Sequence, residues 1–334
     1  MFLRMIKSNQ PIVLFLIILL AISLWGLSFL NPIAMSIPYD KVDIPINSII
    51  SRLAPINSGL SVGLGFSFTM LIAFLLIQFN KHFIVINHRT YLPAFFYILL
   101  VSAFVPLQRF NSVLLGMLFM YSAVSQIYGM YRNDTPVVLS KIYLAGFFIT
   151  LASFCWVPFI VYFLLVPISL VVLRPFVGRE WLAGLLGGLT PLLFIWTYYY
   201  VFNYDQLIDI LSNVLTSLEV TISFNKLHFV YYLFYGFVFL IMVIASFVEI
   251  SNYQTKKIRI RKFFAINWWV FFIGSLLFIF FKNVKYEIIY VLAMPLAFLL
   301  SDYFYMIRKP KLLNIILFKL LVLVIFIQII AHYY

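Results

Sequence analysis

A chain of 334 residues that is 65% hydrophobic and only 10% charged, with a mean hydropathy of +1.08, excludes a soluble globular domain, in which about 25% of residues are charged. The formal net charge of +13 arises from 23 Lys and Arg against 10 Asp and Glu. In so apolar a chain these basic residues read as determinants of membrane topology and exclude nucleic acid as the implied partner.

Arg4 and Lys7 precede an apolar run over 11–30, which has the length a helix needs to cross the hydrocarbon core. A cleaved signal peptide would have a shorter core and a small-residue cleavage site, so this run is expected to be a retained first span. Apolar runs and their breakers predict about eleven spans, at 11–30, 58–79, 91–108, 111–130, 142–156, 157–173, 181–203, 227–248, 264–281, 286–307 and 312–333. The expected fold is therefore all-α: a polytopic helix bundle, one transmembrane domain over 1–334, with a cytoplasmic N-terminus and a periplasmic C-terminus.

The first connector, 31–57, contains SIPYDKVDIP, which sets Asp40, Lys41 and Asp43 between Pro38 and Pro45. Two acids at the mouth of a membrane pocket suit a general base or a divalent metal, and they equally suit a solvated connector. Further along, Ile46, Ile49, Ile50 and Leu53 recur at helical spacing with Arg52 on the polar face, predicting a short interfacial helix. SVGLG, from Ser61 to Gly65, lacks a following GK[ST] and reads as small residues for close helix contact, not a phosphate loop.

Between the third and fourth runs, Gln108-Arg109-Phe110-Asn111 predicts a turn, because Arg109 would be costly within the hydrocarbon. A guanidinium at that depth suits a lipid phosphate, so Arg109, with Arg52, is a candidate phosphate-binding residue. The 29 apolar residues from Ala145 to Leu173 are expected to split into a tight hairpin at Trp156-Val157-Pro158, since a proline disfavours helical geometry in the residue before it. The lone cysteine, Cys155, permits neither an internal disulfide nor a zinc site.

In the connector 204–226, Leu207, Ile210, Leu211, Val214, Leu215 and Leu218 form one apolar stripe, predicting an amphipathic helix on the outer leaflet. Asp205, Asp209 and Glu219 mark its polar side or ends. The run KKIRIRK supplies Lys256, Lys257, Arg259, Arg261 and Lys262, which suit either anionic lipid head groups or a topology anchor. Lys319, about seven residues into the last run, is the intramembrane charge; it either snorkels to the interface or pairs with a phosphate or carboxylate. The four histidines are scattered, and HExxH, paired-Cys and GxSxG patterns are absent.

With eleven spans and an internal N-terminus, sixteen basic residues fall on the cytoplasmic side and six on the other, with Lys319 inside the last span, as the positive-inside rule expects. Merging 142–173 into one span would destroy that asymmetry.

The segment YLAGFFITLASFCWVPFIVYFLLVPISLVVLRPFVGREWLAGLLGG, Tyr143 to Gly188, resembles the middle of C-type (GT-C) glycosyltransferases and related polysaccharide polymerases: an AG-start helix, a tight turn before a proline, a second apolar helix, and a basic cytoplasmic loop holding Arg174, Arg179 and Glu180. The resemblance implies a bacterial inner-membrane enzyme of envelope biogenesis that takes a sugar from a polyprenyl-phosphate carrier. It further implies that Asp40 or Asp43 deprotonates the acceptor hydroxyl or holds a divalent metal, and that Arg109 stabilises the leaving lipid phosphate. As a whole the chain is also similar to a family of bacterial multi-pass inner-membrane proteins of about this length that carries no assigned activity. Two other classes stand beside the enzyme. One is a non-enzymatic scaffold or partner subunit with membrane-protein partners; the other is a lipid or glycan transporter, which would call for inverted repeats and several intramembrane charges.

Overall fold

The computed structural model describes residues 10–32, 58–86, 88, 90–131, 134–220, 229–306 and 310–333. Asp40, Asp43, Arg52 and the interfacial helix expected over 46–53 lie outside the described residues, as does the end of the 204–226 connector. Among the described residues the protein is all-α, with twelve α-helices and one isolated antiparallel bridge between Val220 and Phe281.

Among the described residues nine helices are long and apolar enough to cross a membrane. They are α1 (Pro11–Leu30), α2 (Ser58–Phe83), α4 (Ser112–Gly129), α5 (Thr135–Cys155), α7 (Gly178–Phe202), α9 (Phe229–Ser251), α10 (Ile258–Phe280), α11 (Ile288–Met306) and α12 (Pro310–Tyr333). The runs expected at 91–108 and 157–173 form shorter pieces: α3 (Leu92–Ser102), and a 3₁₀ stretch over Val157–Leu164 that leads into α6 (Leu165–Leu173). The remaining helix, α8 (Tyr204–Ser217), is amphipathic.

The bundle is built around α11 and α3. In α11, 94% of the most apolar window is buried, against 22% in α7. All eleven residues of α3 are buried, and it packs chiefly against α11. The outer helices are apolar all round and leave side chains such as Phe15, Leu19, Phe194 and Phe247 uncovered, the pattern of helices that meet lipid.

Prolines decide where the apolar runs break. At 1.5 Å per residue α3 reaches about 16 Å, roughly half the hydrocarbon thickness. It stops because Pro106 has no N–H to give to the Ser102 carbonyl, and a short 3₁₀ turn over Val105–Leu107 follows. At the other break α5 ends at Cys155, Trp156 is extended (φ −154°, ψ 112°) and the chain reverses at once, so that the Phe163 ring lies 3.4 Å from where a side chain on Gly146 would begin. Pro158 opens the 3₁₀ stretch, and Pro167, in the first turn of α6, removes the donor that would have continued α-type bonding to Phe163.

In the segment from Tyr143 to Gly188 the glycines serve close helix packing. A Cβ on Gly146 of α5 would lie 2.5 Å from the Gly184 carbonyl oxygen of α7, and one on Gly187 would run into the Tyr143 backbone. Small residues spaced so let two backbones approach, as in other membrane helix pairs. Arg174 and Glu180 close the connection between α6 and α7 with an ion pair of 3.3 Å, and Glu180 is fully buried in the first turn of α7, where a carboxylate favours the helix N-terminus.

α8 lies over the hairpin corner. Val214 and Leu218 pack against Phe154 and Val157, and Leu207 is buried, whereas Leu211 and Leu215 of the expected stripe stay exposed beside Ile208. One flank of the helix thus meets protein and the other is left for the bilayer interface.

Candidate functional site

The reversal between α3 and α4 is held by several buried hydrogen bonds, and it carries Arg109. The Ser102 carbonyl, deprived of its helical donor by Pro106, accepts from Gln108 Nε2 at 2.7 Å and from Gln328 Nε2 of α12 at 2.6 Å. Both lone pairs of that oxygen are thereby used. The Ser102 hydroxyl accepts from Trp25 Nε1 at 3.0 Å, and Ser28 Oγ of α1 donates to Gln108 Oε1 at 2.6 Å. On the far side of the turn, Tyr290 of α11 donates to the Leu107 carbonyl at 2.8 Å and accepts from Asn111 Nδ2 at 3.2 Å. Asn111 is also the N-cap of α4, its Oδ1 taking the Leu114 N–H at 3.0 Å. Gln108 and Asn111 are each only 3% exposed, which makes this a buried network whose members all have partners, the arrangement that fixes a backbone.

The turn lies against the beginning of α2. The Phe110 N–H donates to the Ser61 carbonyl at 2.8 Å, and a Cβ on Gly65 would sit 2.5 Å from the Arg109 carbonyl carbon. Within the SVGLG motif, then, Gly65 admits the backbone of the turn. Arg109 is half-buried there, on a turn whose flanking residues are bonded by side chains from α1, α11 and α12 and by the α2 backbone.

A second polar cluster lies at the opposite end of the helices, where the basic connections lie. Lys256, in the short link between α9 and α10, places Nζ 2.7 Å from Asp302 Oδ2 of α11 and 3.3 Å from Glu249 Oε1 of α9. Its ammonium also stands 4.2 Å from the centroid of the Phe264 ring. The three ionisable residues are 6–7% exposed. Two carboxylates share one ammonium in a site shielded from water, where an unmatched charge is expensive.

The run KKIRIRK is thus divided. Lys256 is turned inward onto Glu249 and Asp302. Lys257 is exposed, and Arg259, Arg261 and Lys262 are half-buried on the first turns of α10. Arg259 lies over the Phe263 ring at 5.3 Å, and Lys262 donates to the Leu173 carbonyl at 3.1 Å, capping α6. Lys319 is exposed on α12, the position from which a lysine stem reaches toward an interface. Among the described residues no group of three His, Cys, Asp or Glu side chains is arranged to hold a metal.

Counting apolar runs assigns no role to Glu249 and Asp302. Their signal was present: each interrupts an apolar helix, SFVEIS and LLSDYF, where an acid is costly without a partner. The aspartates Asp40 and Asp43, with Arg52, lie outside the described residues.

Residues 45–334 match the model of a family of unknown function, DUF6427. No curated protein and no solved structure matches the chain. Since the match spans most of its length, the chain belongs to the DUF6427 family, as a multi-pass helical protein with nine helices fit to cross a membrane among its described residues.

Proposed function

We propose that the protein binds the phosphate of a membrane lipid at the Arg109 turn, as part of handling a polyprenyl-phosphate-linked sugar in envelope glycan biogenesis. The observation that carries this reading is the support given to the turn: side chains from three helices and the α2 backbone fix the segment that bears Arg109. A guanidinium carried on a fixed backbone can pair bidentately with a phosphate, and the turn that bears it needs no ordering on binding. In the transferase form of this reading Asp40 or Asp43 takes the proton from the acceptor hydroxyl, or holds a divalent metal, while Arg109 stabilises charge on the departing lipid phosphate.

Lipid retention tests the binding step. Protein reconstituted with a polyprenyl phosphate is repurified and its bound phosphate measured, and Arg109→Ala is expected to lower retention by about tenfold or more, since a charge-assisted hydrogen bond contributes about 1.5–3 kcal/mol. Unchanged retention in Arg109→Ala overturns the reading and leaves the partner-subunit role in its place. Asp40→Ala and Asp43→Ala variants that bind lipid and still transfer sugar at the full rate remove the transferase part alone.

A further inference from the structure

The cluster of Lys256, Glu249 and Asp302 brings two acidic side chains to one basic one, so with all three ionised it keeps a negative charge that nothing balances. The Lys256 side chain is 5% exposed and each acidic side chain 8%. The ammonium lies closest to Asp302, at 2.7 Å, and reaches only Oε1 of Glu249, at 3.3 Å. Glu249 Oε2 is buried and has no hydrogen-bond partner among the described residues.

The charged groups that face Glu249 among the described residues are Lys256 from the link and Asp302 from α11. Lys257 of the same link is exposed, and Arg259 at the start of α10 is turned onto the Phe263 ring. Lys256 and Asp302 therefore balance each other, and Glu249 is the acid left over. Two carboxyl groups sharing one buried site do not both ionise unless enough positive charge stands beside them, and a buried group without that support neutralises instead.

We infer that this cluster is a proton-binding site, in which Glu249 carries one proton at neutral pH and exchanges it with water at the basic end of the bundle. The proton adds to Oε2 as an O–H bond, no other bond changes, and the net charge of the cluster falls to zero. A proton needs no cavity, and Oε2 is the oxygen that no donor occupies. A metal cation is a poorer match, because its charge would stand beside the Lys256 ammonium and it needs about six oxygen ligands. A water molecule could bond Oε2 but would leave the charge in place. Release of the proton sets two carboxylates on one ammonium where the link between α9 and α10 is held to α11, so proton binding and that attachment are coupled.

The test is infrared spectroscopy of the full-length protein in nanodiscs at neutral pH, since the C=O of a neutral carboxylic acid absorbs apart from carboxylates. The difference between the parent protein and Glu249→Gln is expected to contain the band of one neutral carboxylic acid. Asp302→Asn is expected to lose the same band although Glu249 is still present, because one carboxylate then faces one ammonium. This second variant also stands in should Glu249→Gln fail to fold. Absence of the band from the parent protein, or its survival in either variant, overturns the inference.

Discussion

Lys256 Nζ and Asp302 Oδ2 meet at 2.7 Å across 46 residues of sequence, and Glu249 Oε1 joins the same ammonium at 3.3 Å. The contact ties the link between α9 and α10 to α11, the most buried of the described membrane-length helices. Breaking a buried pair by removing one partner costs about 3–5 kcal/mol, because the remaining charge stays desolvated and unmatched. Lys256→Met is therefore expected to lower stability by about that amount, and exposed Lys257→Met to change it by less than about 0.5 kcal/mol. Thermal unfolding in nanodiscs checks both. Combining Lys256→Met with Glu249→Gln and Asp302→Asn is expected to restore much of the loss, since no charge is then stranded.

The network under Arg109 predicts different effects for Gln108 and for Arg109 itself. Gln108→Leu strands the Ser28 hydroxyl and takes one of two donors from the Ser102 carbonyl. A stranded buried group costs about 1–3 kcal/mol. Gln108→Leu is expected to lower the unfolding temperature and lipid-phosphate retention together. Arg109→Lys keeps the charge but loses the bidentate fork, so it is expected to lower retention with little change in unfolding temperature.

Ile84, directly after α2, has φ +53° and is 47% exposed. A β-branched residue in the left-handed region carries a cost of about 1–2 kcal/mol, which glycine escapes. The conformation is imposed by Asn80, whose Oδ1 accepts from the Ile86 N–H at 2.9 Å and whose Nδ2 donates to the His88 carbonyl at 3.2 Å. Ile84→Gly is expected to raise stability by up to about 1 kcal/mol, as measured by the unfolding temperature. A decrease would mean that the isoleucine side chain contributes more through its contacts than the backbone loses.

Hydrophobic rhythm made most of the bundle legible. Each of the eleven expected runs falls on an apolar helical segment, because lipid requires every crossing segment to bond its own backbone, and length alone then marks it. Helix ends were less legible. Apolar counting began one span at residue 264, whereas α10 starts at Ile258 and carries Arg259, Arg261 and Lys262 on its first turns, since a helix continues past the hydrocarbon wherever its charged side chains reach water or carbonyls. The run at 91–108 looked like a full span because Pro106 interrupts it without adding any polarity. Its shortness follows from one missing N–H, and the partners that replace that donor, Gln108 and Gln328, are 220 residues apart and share no local pattern. The pairing of Lys256 with Glu249 and Asp302 was hidden for the same reason: acids in apolar helices announce that a partner exists, and only tertiary packing says which basic residue it is.

The glycines of α5 and α7 give the sharpest contrast between positions alike in sequence. A Cβ on Gly187 would overlap the Tyr143 backbone, and backbone cannot move aside as a flexible side chain can. One on Gly26 of α1 would meet nothing within 4 Å. Gly187→Ala must therefore separate two helices along their contact, stranding the packing of Gly146 against Gly184, whereas Gly26→Ala removes only the entropy that glycine loses on folding. The second change is expected to be neutral or stabilising by about 0.5–1 kcal/mol. The first is expected to cost more than about 3 kcal/mol, at the upper end of overpacking effects, because no rotamer relieves the clash. Unfolding temperature, with the fraction of monodisperse protein after extraction, checks the pair. Equal stability of Gly187→Ala and the parent protein would show that α5 and α7 do not approach as closely as these glycines allow.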